Sequence, residues 1–401
     1  MKRSREESPT EAGDPIVLDR RSFLPPYAVI ACSVVFFWSI SIRALIYTLM
    51  PAIATELQLS SSVAGIVIAT MLLGYSGGSW LAGWLPGSLK ARIMGGVALS
   101  LPAAAVVSGA SNVVVLVCAA LLVGFGVGIY IPLGLALLVE VGSRGRKAYY
   151  MAFHEGAATL ASFCGSLFVA VMLAWTDWRA SVLAWCAVGV LALVAFAAVP
   201  VRVRAHTGRS GPESVPLGLP LVYSSFAYAA GTIMVFGLIS VLPLILVRGW
   251  GLGQTDAASV VGYTRLAGLI GVLAVALEGD RLGHTRVTLC LQTLSLIGAV
   301  AMSLDGYGLT FLVGMMVLAA GATGTITTLP LVIAGAYLGE QRERAMAVAS
   351  GVGGLLGMVA APALFGAFVD AQMATGPIVF AAMATLLAIL ATCRIPARPR
   401  S

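Results

Sequence analysis

Long apolar stretches separated by short polar ones run almost from end to end of this chain. A membrane-spanning helix needs about 20 predominantly apolar residues. Twelve stretches qualify, near residues 27–51, 62–85, 93–110, 112–138, 148–174, 179–200, 219–247, 256–279, 285–303, 307–337, 346–370 and 375–393. The pattern predicts an all-α polytopic membrane protein of twelve transmembrane helices.

The polar intervals divide by charge. The N-terminal tail holds five Lys or Arg, the loops near 90, 145, 205, 283 and 343 hold two, three, three, two and two, and the C-terminal tail holds three. The alternate loops carry only Arg179 and Arg248. Lys and Arg gather in cytoplasmic loops, so both termini are expected in the cytoplasm, as an even number of spans requires. A bacterial inner membrane is the expected home.

The polar stretch after Val201 splits the spans six and six. The expected organisation is a tail at 1–26, a first bundle at 27–201, a central cytoplasmic loop at 202–218, a second bundle at 219–393 and a tail at 394–401. The tail at 1–26 is polar and mixed in charge, without an apolar core and cleavage site, so it reads as a disordered tail and not a signal peptide. The two bundles repeat one another. A span ending near Pro51 is followed by Leu57-Gln-Leu-Ser60 and Gly65; one ending near Pro243 is followed by Trp250-Gly-Leu-Gly253 and Gly262. Gly142-Ser-Arg-Gly-Arg-Lys-Ala148 likewise matches Gly339-Glu-Gln-Arg-Glu-Arg-Ala345. Parallel six-span repeats place a transporter's substrate site between the halves, near the midplane.

Composition agrees with this picture. Of 401 residues, 59% are hydrophobic and only 10% charged, against about 25% charged in soluble domains. The net charge of +7 follows from the basic loops, so nucleic acid is not an expected partner. Cys32, Cys118, Cys164, Cys186, Cys290 and Cys393 lie in or beside apolar segments with no CxxC pair, which suggests packing and neither a disulfide framework nor a metal site. No cofactor motif is present, and the absence of G-x-x-x-x-G-K-[ST] excludes an ATP-driven motor within these residues.

Three local motifs carry a family resemblance. Asp280-Arg281-Leu282-Gly283 resembles a D-R-x-G loop signature, Gly124-Phe-Gly126-Val-Gly128 with Pro132 a fourth-span glycine pattern, and Trp178-Arg179 a W-R pair opening the sixth span. By these motifs and the repeat, nearly the whole chain is similar to the major facilitator superfamily. It departs from the family at Gly87, where an Asp is usual, and at Ala120, where many members carry Arg. The resemblance implies alternating access by two rocking bundles, a central cavity lined by the first span, and a cytoplasmic gate at Asp280 and Arg281. The distance from Arg43 to Pro51 also loosely resembles first spans of bacterial cyanate-transporter relatives.

Two cations stand where charge is least tolerated. Arg43 and Arg265 fall inside spans one and eight, at similar depth by residue count. A cation in hydrocarbon costs at least about 2.5–3.5 kcal/mol, so it normally faces a partner or a watery cavity. Guanidinium forks match carboxylate and phosphate geometry bidentately; an anionic substrate would satisfy both arginines, and so would an acidic side chain. Ser39, Arg43 and Tyr47 are spaced by four and four, on one helix face. Glu155 is the carboxylate clearly inside a span. The resemblance sets spans five and eight opposite each other, so Glu155 is expected either to pair statically with Arg265 or to titrate as that partner moves. His154 points about 100° away from Glu155 and is a packing residue or a relay. Tyr228, Thr232, Thr323, Thr327 and Tyr130 are further cavity candidates, whereas the Gly74–Gly78 and Gly353–Gly357 spacings indicate close helix packing.

The expected function is secondary transport of a small organic or inorganic anion, with proton-coupled uptake favoured over exchange or export, by a monomer in the lipid bilayer. The alternative is efflux of amphipathic compounds, with structural arginines; span five lacks the Gly-Pro-rich motif of proton-linked drug antiporters. A transport-dead sensor or a membrane enzyme is the remote alternative. Three widely separated histidines (His154, His206, His284) argue against an enzyme.

Overall fold

The computed structural model describes residues 27–141, 147–199, 218–304, 307–337 and 339–395. Residues 1–26 and 396–401 of the tails, the central loop up to residue 217 and the basic 142–146 segment lie outside the described residues. Six helices form the first half: α1 (Tyr27–Glu56), α2 (Ser61–Leu81), α3 (Leu89–Ser108), α4 (Val113–Val141), α5 (Lys147–Trp175) and α6 (Trp178–Ala198). Six form the second: α7 (Leu219–Gly249), α8 (Gln254–Leu282), α9 (His284–Leu304), α10 (Leu309–Ala336), α11 (Gly339–Gly353 continued by Gly354–Ala360 and Ala361–Asp370) and α12 (Gly376–Thr392). Eleven are long and apolar enough to cross a membrane, and α12 is a shorter apolar helix.

Local chemistry sets the helix ends. Ser60, Ser88 and Asp177 accept from the backbone N–H groups of Val63, Ala91 and Ala180, capping α2, α3 and α6. Gly283, the glycine of the D-R-x-G segment, closes α8 at φ +84°, a conformation that costs glycine little. Prolines fall at matched places in the two halves, Pro51 in α1 with Pro243 in α7, and Pro132 in α4 with Pro330 in α10. Around Pro243 the α7 backbone widens into π-helical turns at Ile233–Leu238 and Ile245–Gly249, and α11 does the same at Gly354–Ala360. Such turns change the angle at which successive side chains leave a helix.

The halves repeat in packing as well as in sequence. α1 packs on α5 and α6, α2 on α4, and α3 on α4 and α6; α7 packs on α11 and α12, α8 on α10, and α9 on α10 and α12. Glycine makes the tightest of these contacts. A Cβ added at Gly74 or Gly78 of α2 would sit 2.1 or 2.0 Å from the Leu121 or Phe125 carbonyl oxygen of α4. One added at Gly124 or Gly128 of α4 would sit 1.8 or 2.0 Å from that of Met71 or Tyr75. In the second half, Gly357 of α11 lies backbone to backbone against Thr232 of α7, whose hydroxyl donates to the Gly353 carbonyl at 2.7 Å. Without a hydrophobic drive between helices in lipid, close backbone approach of this kind supplies the van der Waals contact.

The halves meet along α5 and α8, and α2 runs against the 354–370 part of α11 while diverging from its Gly339–Gly353 part. The α2–α4 seam therefore also positions Tyr75, which faces the other half. Gly128→Ala should force that seam apart and lower stability by about 1–3 kcal/mol, the usual range for overpacking. Thermal unfolding in detergent measures this; an unchanged transition would contradict the seam.

Candidate functional site

A cavity of about 250 Å³ lies between the halves. α1 contributes Phe36, Ile40, Arg43 and Tyr47, a single face at helical spacing; α2 contributes Tyr75, and α4 Ile131. α5 adds Ala158, Thr159 and Ser162, α7 adds Val235, Phe236, Ile239 and Ser240, α8 adds Arg265 and Val272, and α10 adds Ala319, Thr323, Ile326 and Thr327.

Both intramembrane arginines reach this space. Arg43 is 8% exposed. Its guanidinium carbon lies 4.6 Å from the centre of the Tyr75 ring and 5.4 Å from that of Phe236, one ring from each half. A ring face attracts a cation through its quadrupole and uses none of the N–H donors. The Nη1 of Arg43 is buried with no hydrogen-bond partner, and so are the Nε and Nη2 of Arg265. Tyr47, 2% exposed, carries a buried hydroxyl in the same condition and lies within electrostatic reach of both arginines. Buried polar groups are normally paired. Several donors left open around one cavity therefore describe a site shaped for an acceptor.

The other expected site residues fall elsewhere. Ser39 is fully buried but beside the lining face of α1, so it does not reach the cavity. His154 is packed behind the wall, 1% exposed and stacked on Phe36 with ring centres 4.1 Å apart. Tyr130 donates its hydroxyl proton to the Cys32 carbonyl at 2.7 Å. Its oxygen also lies 2.9 Å from His154 Nε2, so the hydroxyl and the imidazole are hydrogen-bonded. The side chains of Glu155 and Asp280 lie outside the described residues. Arg281 points to solvent and meets Glu278 of its own helix at 3.2 Å, an exposed pair of small energetic weight. Of the further candidates, Thr323 and Thr327 line the cavity, while Tyr130, Tyr228 and Thr232 do not.

Tyr75, Phe236 and Ser240 join the site without having been expected there. Tyr75 had a faint signal, a lone aromatic between Gly74 and Gly77. Phe236 had none, because it leaves α7 from a π-helical turn, and neither had Ser240, in the α-helical segment that follows.

One end of the cavity is held shut at the α1–α2, α7–α8 and α11–α12 connections, opposite the end where α1 begins. Asp370, at the end of α11, accepts from the backbone N–H groups of Ser61 and Ser62, each at 2.7 Å, and from the Ser62 hydroxyl. A carboxylate at a helix N-terminus meets open N–H groups and the positive end of the dipole. Arg248, at the end of α7, donates to the Leu59 carbonyl at 2.8 Å and the Ser61 hydroxyl at 3.2 Å. Below these bonds the α2 and α11 backbones touch, Gly65 against Pro362 and Gly366 against Ser61. The Trp178-Arg179 pair serves the first half alone. Both side chains bond Glu56 of α1, and Arg179 also holds the Ser108 and Ala110 carbonyls.

Two six-helix bundles facing each other across a central cavity that holds two arginines, closed at one end, are the architecture of a membrane transporter. The sequence matches the family model described as Major Facilitator Superfamily over residues 29–277, and the chain belongs to that family. Solved structures agree in fold. A bacterial homolog to the human lysosomal transporter Spinster, in an inward-facing and occupied conformation, superposes with a TM-score of 0.71 at 13% identity, covering 92% of this chain and 95% of that one. A D-xylose–proton symporter gives 0.72 at 16% identity, covering 92% and 97%. The nucleoside transporter NupG gives 0.73 at 10% identity, covering 92% and 99%. Comparison with curated proteins finds no match.

Asp370→Ala removes three hydrogen bonds between the halves and should weaken closure by about 1–2 kcal/mol, given their exposure to solvent. Spin labels at Gln58 and Gln372, both exposed, should then report a new population at longer distance. An unaltered distance distribution would show that Arg248 and the backbone packing close this end without Asp370.

Proposed function

We propose that this transporter carries a small anion by alternating access, with Arg43 and Arg265 as its binding groups and Tyr47 as a third donor. The observation that carries the reading is the set of buried, unpartnered guanidinium donors from both halves on one cavity. In a desolvated site an anion meeting both forks makes charge-assisted hydrogen bonds, about twice as strong as neutral ones. Because one arginine belongs to each half, the anion is also a bridge between them. Binding it favours closure around it, and release follows when the halves part.

The Lys and Arg distribution supports termini in the cytoplasm, which makes the end latched by Asp370 the outer one and this state inward-facing. We assign the protein to a cell inner membrane, acting as a monomer. Asp280 and Arg281 belong to the opposite, cytoplasmic gate. Glu155, on α5, a helix that packs along α8, is the proton-coupling group of an uptake symporter, and His154 supports it from behind the cavity wall. A second reading, efflux of amphipathic compounds, draws on the many apolar residues of the same cavity.

Thermal stabilisation by ligands separates the two readings, since a ligand that binds only the folded state stabilises it by mass action. One class of anion should stabilise the purified protein and fail to stabilise Arg43→Gln or Arg265→Gln, with affinity falling roughly 10-fold or more, the loss of a charged hydrogen bond. Stabilisation of all three proteins alike by lipophilic cations or neutral compounds would favour efflux. Coupling has its own test in vesicles. Glu155→Gln should abolish uphill accumulation driven by a proton gradient and leave substrate exchange intact. Equal accumulation by the variant would remove Glu155 from coupling.

A further inference from the structure

The cavity wall carries information on what the anion is attached to. Besides Arg43, Arg265, two tyrosines and five Ser or Thr residues, its surface is made by Phe36, Ile40, Ile131, Val235, Phe236 and Ile326, with four further aliphatic residues. Among its described residues there is no carboxylate, no amide and no lysine. Of its five Ser and Thr hydroxyls, two are committed to backbone carbonyls, while Thr159, Ser240 and Thr323 add polar atoms to the wall. Ser162 gives its proton to the Ala158 carbonyl at 3.1 Å and Thr327 gives its own to the Thr323 carbonyl at 2.9 Å.

This lining disfavours several classes of cargo. A sugar or nucleoside presents hydroxyls around its whole surface, whereas much of this wall is apolar, and each hydroxyl left unmet there costs a desolvation penalty. An ammonium group would be repelled by the two arginines. A fully hydrated inorganic anion would satisfy the arginines and leave the apolar wall against water. What fits cations at one place and hydrocarbon elsewhere is an acid group on an apolar body. The volume bounds its size, since about 250 Å³ is below the roughly 300–1,000 Å³ of pockets that hold drug-sized ligands.

We propose that the substrate is a small organic monocarboxylate with an aliphatic or aromatic body, its carboxylate on Arg43 and Arg265 and its body against Phe36, Ile131, Phe236 and Ile326. This rests on the anion reading above. One carboxylate has four lone-pair positions, enough for both guanidinium groups. The rings of Tyr75 and Phe236 then act twice, holding Arg43 and presenting apolar surface beside it.

The test is calorimetric or thermal-shift binding to the full-length protein with acetate, butanoate, hexanoate, benzoate, benzamide, succinate, nitrate and phosphate. Affinity should rise along the aliphatic series by roughly threefold to fourfold per methylene, the value of a buried CH₂, until the cavity is full. Benzoate should bind and its neutral isostere benzamide should not. A flat series, or nitrate, phosphate or succinate binding as tightly as hexanoate and benzoate, overturns the monocarboxylate and leaves the anion reading standing. Benzamide binding as well as benzoate, or a panel in which no anion binds, overturns both.

Discussion

The rest of this structure depends on how two positive charges are kept inside a membrane protein without being neutralised. Arg43 and Arg265 share one cavity, and the simplest relief for either would be an acidic side chain. Arg43 has instead the faces of Tyr75 and Phe236, which attract its charge and leave its in-plane donors open. A cation paired with a buried carboxylate is hard to separate from it, because breaking such a pair leaves an uncompensated charge. A cation held by aromatic faces has donors to spare, so an incoming acceptor gains bonds without displacing any. This is the condition a reversible carrier needs.

Placing those rings is the work of the fold. Tyr75 stands where Gly74, Gly78, Gly124 and Gly128 bring α2 and α4 into backbone contact, so its position is fixed by a seam that a single methyl group would disturb. Phe236 leaves α7 from a π-helical turn just before Pro243. One ring comes from each half and both rest on an arginine of the first, so the site senses the relation between the halves. The latch of Asp370 and Arg248 on the start of α2 holds that relation at one end, and divergence of α2 from the first part of α11 leaves the other end looser.

Much of this was legible in the sequence because its cause is local or periodic. Apolar length gave the spans, the repeat gave the halves, and the expense of charge in hydrocarbon singled out Arg43 and Arg265 with no knowledge of their neighbours. Helical spacing put Arg43 and Tyr47 on one face, and both reach the cavity. The same argument placed Ser39 with them, where it fails: a stripe drawn at intervals of four drifts around a helix of 3.6 residues per turn, and the lining face follows Phe36, Ile40, Arg43 and Tyr47. What stayed hidden depends on long-range contact. An apolar Phe236 among apolar neighbours carries no mark of its role, and Asp370 reads as an ordinary loop acid until α2 is seen beside it, more than 300 residues earlier in the chain.

The central claim is that an anion completes the two arginines, and arginine-selective modification tests it most directly. Protein treated with phenylglyoxal, with and without a saturating carboxylate, would be digested and each arginine's modification measured by mass spectrometry. Exposed Arg281 provides the internal control. The account predicts that Arg43 and Arg265 react in the open cavity and are protected together by the anion, while Arg281 reacts equally in both samples. Equal modification of Arg43 and Arg265 with and without anion would contradict it.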